Sequence, residues 1–95
     1  MPENILLTIQ DAIVSGNYDV TVHAVEEIAE DGFDIFDVES AVMNGEIAKT
    51  ETDDPRGARY TIVGKSVDRK RLVGVVGRFK ETGIFLIITA YGASE

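Results

Sequence analysis

Chemistry in this chain rests on one histidine and a set of cationic side chains crowded toward the carboxyl terminus. His23 is the only side chain whose ordinary pKa lies near neutrality, so it is the candidate for proton transfer. It can equally hydrogen-bond a neighbouring backbone group or carboxylate and fix the angle at which the chain enters a helix. Arg56, Arg59, Lys65, Arg69, Lys70, Arg71 and Arg78 fall on predicted strands and their connections. Arginine grips a phosphate through two parallel hydrogen bonds, so Arg59, Arg71 and Arg78 beside Tyr60 and Tyr91 form a candidate RNA-contacting surface. The same bases can instead face the acidic helices. The carboxylates Glu26, Glu27, Glu30 and Asp31 are spaced as a solvated helix face rather than as a metal site. No zinc pattern, phosphate-binding glycine loop or Gly-x-Ser-x-Gly elbow occurs, so neither a metal nor a cofactor is expected.

The 95 residues carry 17 acids against 9 bases, a formal charge of −8, which taken alone argues against nucleic acid. The average conceals a split: residues 1–54 hold fourteen acids and the single base Lys49, whereas residues 55–95 hold eight bases and three acids. Screening acts over about 8 Å and a domain of this length is about 25 to 30 Å across, so opposite faces can present opposite potentials. The length fits one domain, 1–95, and the apolar run Ile84 to Tyr91 is far short of the roughly 20 residues of a membrane helix. Without cysteine, disulfides and thiolate chemistry are excluded. The opening Met1-Pro2-Glu3-Asn4 lacks the features of a signal peptide, and a cytoplasmic protein is expected.

Helices must come first. Pro2, the spacing of Ile5, Leu6, Ile9, Ala12 and Ile13, and Gly16 predict a helix over about residues 3–15. Tyr18 to Val22 alternates with period two and reads as a short edge strand or an extended lead-in. His23 to Asp31 reads as a second helix stopped by Gly32. Asp34 and Asp37 form a capping-box pattern for a third, with Ile35, Val38, Ala41 and Val42 inward and Asn44-Gly45 at its end. The period then changes to two, predicting strands over Glu46 to Thr52, Ala58 to Lys65, Arg71 to Phe79 and Ile84 to Tyr91. The expected fold is α+β: amino-terminal helices packed on a carboxyl-terminal four-stranded antiparallel meander.

Pairing Lys65 with Arg71 and Phe79 with Ile84 puts Tyr60, Ile62, Gly64, Leu72, Gly74, Val76, Arg78, Phe85, Ile87, Thr89 and Tyr91 on one face. Glycines 64 and 74 then let the helices approach this face closely. The other face keeps Val63, Val73, Val75, Leu86 and Ile88 as an uncovered apolar strip. That much greasy surface calls for a cover, either a second copy or another protein, or else the first helix wrapping that side.

The order of Thr21-Val22-His23-Ala24-Val25-Glu26, Asp37-Val38, Asn44-Gly45-Glu46-Ile47, Arg59-Tyr60, Gly64, Asp68, Arg71-Leu72-Val73 and Ile88-Thr89-Ala90-Tyr91 resembles a small bacterial family, Domain of Unknown Function 4258. The resemblance spans nearly the whole chain. That family is similar to the RelE and BrnT ribonuclease toxins, often encoded beside small antitoxins, and the resemblance implies a RelE-like fold and metal-independent mRNA cleavage. His23 in acid–base exchange, with Arg59, Arg71, Arg78 and Tyr91 around the phosphate, is what it carries over. The chain departs from the family where an arginine usually stands four residues after the histidine: here it is Glu27, with Asp31 further on. An anion beside a phosphate reverses the sign of the interaction. The expectation is therefore a toxin-like interaction component, forming a homodimer or binding a small antitoxin-like protein through the apolar strip, with an active RelE-like endoribonuclease as the alternative.

Overall fold

A computed structural model of the chain describes residues 4–93. Helix α1 (Ile5–Ser15) starts on Asn4, whose side chain accepts the Leu7 N–H, and buries Ile9, Ala12 and Ile13. The Pro2 start signal lies outside the described residues. Strand β1 (Tyr18–Val20) follows, and Thr21 caps α2 (Val22–Glu30) by accepting the Ala24 N–H at 3.1 Å. Helix α3 (Ile35–Asn44) opens on the expected box: Asp34 and Asp37 each accept the other's backbone N–H at 3.1 Å. Strands β2 (Glu46–Glu51), β3 (Arg59–Lys65), β4 (Leu72–Phe79) and β5 (Phe85–Ala93) complete the chain.

The fold is α+β, but the sheet has five strands in the order β1-β5-β4-β3-β2 and is mixed, because β1 pairs parallel to β5. The segment that read as a strand or a lead-in is thus a strand. Three residues suffice because β5 supplies a ready edge and Tyr18 and Val20 pack against the core. Among the described residues no helix is long and apolar enough to cross a membrane.

The expected pairing is corrected by one residue at each hairpin. Lys65 pairs with Leu72, not Arg71, because the β3–β4 turn holds an extra residue: Ser66 N–H reaches Arg71 O at 2.9 Å and Arg69 sits at φ 65°. Phe79 pairs with Phe85, not Ile84, with five residues between them; Lys80 N–H closes on Ile84 O at 2.8 Å around residues 81–83, with Gly83 left-handed at φ 88°. Each shift flips β4 relative to its neighbours, since side chains alternate with period two. The helix-covered face consists of Ile62, Val73, Val75, Phe85 and Ile87, all fully buried, and after a bulge at Ile88 it continues with Ala90. Every core residue that β3, β4 and β5 contribute belongs to this face.

Two members of the expected uncovered strip, Val73 and Val75, are therefore core residues under the helices. Val63, Leu86 and Ile88 lie on the other face with Leu72 and Val76, each half-buried, and the first helix does not wrap that side. The glycines separate as well. A Cβ on Gly64 would lie 2.0 Å from Ala41 O, so here the bare backbone lets α3 approach. A Cβ on Gly74 would lie 2.4 Å from Cζ of Tyr91, so on the opposite face the glycine accommodates an aromatic ring instead.

Candidate functional site

The face turned away from the helices is the candidate site, and register places its side chains. Across one end runs the row Glu51, Arg59, Arg78, Leu86, Asp19. Glu51 pairs with Arg59, Arg78 with Leu86 and Leu86 with Asp19, while Arg59 and Arg78 are the next positions beyond the Tyr60–Gly77 pair. Two arginines thus stand side by side on neighbouring strands, an arrangement that costs free energy unless an anion relieves it. Glu51 relieves half of it, its Oε2 accepting from an Arg59 terminal nitrogen at 2.9 Å. That bond holds the Glu51 carboxyl below its usual range and pushes the Arg59 guanidinium higher still. Arg78 has no carboxylate partner among the described residues. The Nε–H groups of Arg59 and Arg78 are both buried and without an acceptor. Behind the arginines lie Val63, Val76 and Ile88, and Tyr91 over the Gly74 backbone.

Of the five residues expected to work on a phosphate, the structure brings together Arg59 and Arg78. Tyr91 shares their face, but its partner Gly74 is four residues from Arg78 along β4, about 13 Å at strand spacing. His23 stands on α2, its side chain 70% exposed, with Nε2 3.3 Å from Oε1 of Glu27. Arg71 precedes β4, stacks on Phe33 with its guanidinium carbon 4.0 Å from the ring centroid, and donates to Asp31 O at 2.6 Å. It closes the carboxyl end of α2, where a cation complements the helix dipole. These residues occupy four separate places: the Arg59–Arg78 pair, Tyr91, His23 and Arg71.

The acids Glu27 and Asp31 have a structural task that sequence reasoning missed. Strand β1 covers only the first part of β5 and leaves the outer edge beyond it open. Helix α2 lies along that edge. Glu27 Oε1 accepts from the Thr89 hydroxyl and from Ala90 N–H (3.3 Å), and Asp31 Oδ2 accepts Gly92 N–H at 2.7 Å. Two carboxylates one helical turn apart thus meet alternate strand N–H groups, the match of 5.4 Å pitch to two-residue strand spacing. Glu26 and Glu30 remain solvated, as the spacing implied. The i, i+4 interval of Glu27 and Asp31 was the visible signal, but nothing local names β5 as its target.

No curated protein and no solved structure matches this chain. The matched segment, residues 20–92, runs from the end of β1 through almost all of β5 and so includes the acid-stitched helix and the whole arginine row except Asp19. Over those residues the chain matches the family described as Domain of unknown function (DUF4258), and it belongs to that family.

Proposed function

We propose that this chain is a non-catalytic, toxin-like interaction component whose open sheet face receives an acidic, apolar segment of a small antitoxin-like protein. The observation that carries the reading is the arginine pair: two adjacent guanidinium groups with buried, unaccepted Nε–H groups, of which only Arg59 holds a carboxylate, bordering Val63, Val76, Leu86 and Ile88. A buried donor without a partner is costly, and an incoming carboxylate supplies the missing acceptor where water is already excluded. The apolar strip supplies area that a partner buries at about 25 cal/mol per Å². Separation of His23 and Arg71 from the pair favours docking over phosphodiester cleavage.

A labelled peptide alternating leucine and glutamate, titrated against the wild type and Arg78→Glu, tests the reading. Saturable binding weakened about tenfold or more by the reversal is expected, the worth of one charge-assisted bond. No binding, or equal binding by the variant, refutes it. The unpaired Arg78 guanidinium also suits a phosphate, so oligouridine is titrated in parallel. RNA binding with a log–log salt slope of about −0.7 per contact, abolished in Arg78→Glu, would transfer the face to the endoribonuclease alternative. A dimer by sedimentation that Arg78→Glu dissociates would transfer it to a second copy of the chain.

A further inference from the structure

At the far end of the same face from the arginine pair, a groove of about 450 Å³ opens between the start of β2 and the β3–β4 turn. Arg59 and Lys65 are six residues apart on β3, so about 20 Å separates the two places. On the open face the groove is lined by the apolar side chains of Val63 and Leu72 together with Lys65, Arg69 and Glu46, which pairs with Val63; Ile47 pairs with Ile62 and turns toward the core. Its volume lies in the range of small-molecule sites.

Two observations bear on its cations. In a chain with nearly twice as many acids as bases, Lys49, Arg56, Arg59 and Lys80 each hold a carboxylate and Arg71 holds a carbonyl. The Lys65 and Arg69 side chains hold none among the described residues, as is also true of Lys70 and Arg78, but only Lys65 and Arg69 line this groove. Second, Arg69 occupies the left-handed region at φ 65°, a conformation strained for an L residue with a Cβ and free for glycine. Strain of this kind persists where the surroundings enforce it, and such positions concentrate at ligand sites.

The surroundings do enforce it. Arg69 N–H donates to Ser66 O at 2.9 Å, and the Asp68 carboxylate is occupied by the Ser66 hydroxyl (2.7 Å) and Lys70 N–H (3.0 Å). Asp37 of α3 accepts Val67 N–H at 2.9 Å. Lys65 is fixed by Asn44, which accepts its N–H at 2.7 Å and donates to its carbonyl at 3.0 Å. Both cations are therefore carried on anchored backbone, so binding has their side chains to order but not the chain itself.

We propose that this groove binds a small phosphomonoester with an apolar body: the phosphate between Lys65 and Arg69, the body over Val63 and Leu72, and a hydroxyl or amine donating to Glu46. Charge matching favours this ligand, since a monoester carries about −1.5 to −2 at neutral pH and meets two cations. The proposal uses neither Arg59 nor Arg78 and shares only Val63 with the partner reading.

Phenyl phosphate is the probe, followed by amide chemical-shift titration of the full chain with inorganic phosphate and phenol as separate arms. Saturable shifts at Ala48, Lys65, Arg69 and Leu72 are expected, with affinity about tenfold or more above inorganic phosphate because the ring is buried. Arg69→Gly is the informative variant. It should weaken phenyl phosphate about tenfold or more while leaving the midpoint of thermal unfolding equal or higher, since glycine adopts the turn without strain. Arg78→Glu should leave the affinity unchanged. Shifts mapping to the Arg59–Arg78 row, affinity equal to that of inorganic phosphate, unaltered affinity in Arg69→Gly, or no saturable shift would each overturn the proposal.

Discussion

Gly64→Ala and Gly74→Ala are the same substitution on neighbouring strands, and the structure assigns them very different costs. At Gly64 the new methyl meets only backbone: Ala41 O at 2.0 Å, with Ala41 C and Cα at 2.7 and 2.8 Å. Relief requires α3 to lift by about 1 Å, and a gap of that size already forfeits a quarter to a half of each contact's dispersion energy. The contacts at stake are those of Val38, Ala41 and Val42, all fully buried. Overpacking costs about 1 to 3 kcal/mol, and the rigid neighbour places Gly64→Ala at about 3 kcal/mol. A domain of this length has about 5 to 14 kcal/mol in total. The expected fall in melting temperature is roughly 12 to 24 °C. At Gly74 the three atoms nearest the methyl, at 2.4 to 2.8 Å, all belong to the Tyr91 side chain, and the half-buried ring can rotate off the open face. Alanine also costs less backbone entropy than glycine, so the net loss should stay below about 1 kcal/mol. Urea unfolding with an unchanged slope measures both. Equal losses, or a larger loss at Gly74, would refute the assignment of the two faces and with it the open face as a docking surface.

Two further predictions probe the edges of the sheet. Glu27→Ala removes the acceptor of Thr89 and Ala90 and should cost about 2 kcal/mol, with faster hydrogen exchange at Ala90, whereas the exposed Glu26→Ala should stay within about 0.5 kcal/mol. Equal effects would show that α2 is not stitched to β5 by that carboxylate. Tyr18, partly buried and donating to Glu39 at 2.6 Å, has its pKa pushed up to about 12 by burial, then by that bond and the carboxylate charge. The folded state keeps a proton that the unfolded chain loses near 10, so this contribution is whole below pH 10 and disappears as the pH climbs through 12. The stability advantage of the wild type over Tyr18→Phe at pH 8 should therefore shrink between pH 10 and 12, measured by urea midpoints; a constant gap would contradict it.

Much of the local structure was legible because its causes are local. The Asp34–Asp37 box, the stripe of Val38, Ala41 and Val42, and the change of period after Gly45 each follow from residues a few positions apart. Turn length was not legible at that precision. Arg69 gives no sign in the sequence that it will turn left-handed and add a residue to the β3–β4 connection, yet that residue moves Val73 and Val75 from the open face into the core. The same arithmetic brings Arg78 beside Arg59. The bulge at Ile88 carries Tyr91 to their face, and no neighbouring residue announces it.

Sequence alone determined the α+β class, the order of helices and strands, the segregation of acids and bases along the chain, and which side chains are available for chemistry. These depend on composition and short-range periodicity, which folding does not alter. Tertiary structure decided which face each strand side chain occupies, that Tyr18–Val20 finds a parallel partner in β5, and that Glu27 and Asp31 serve a strand edge some sixty residues away. Those outcomes depend on register and long-range pairing, where a single residue in a turn exchanges inside for outside.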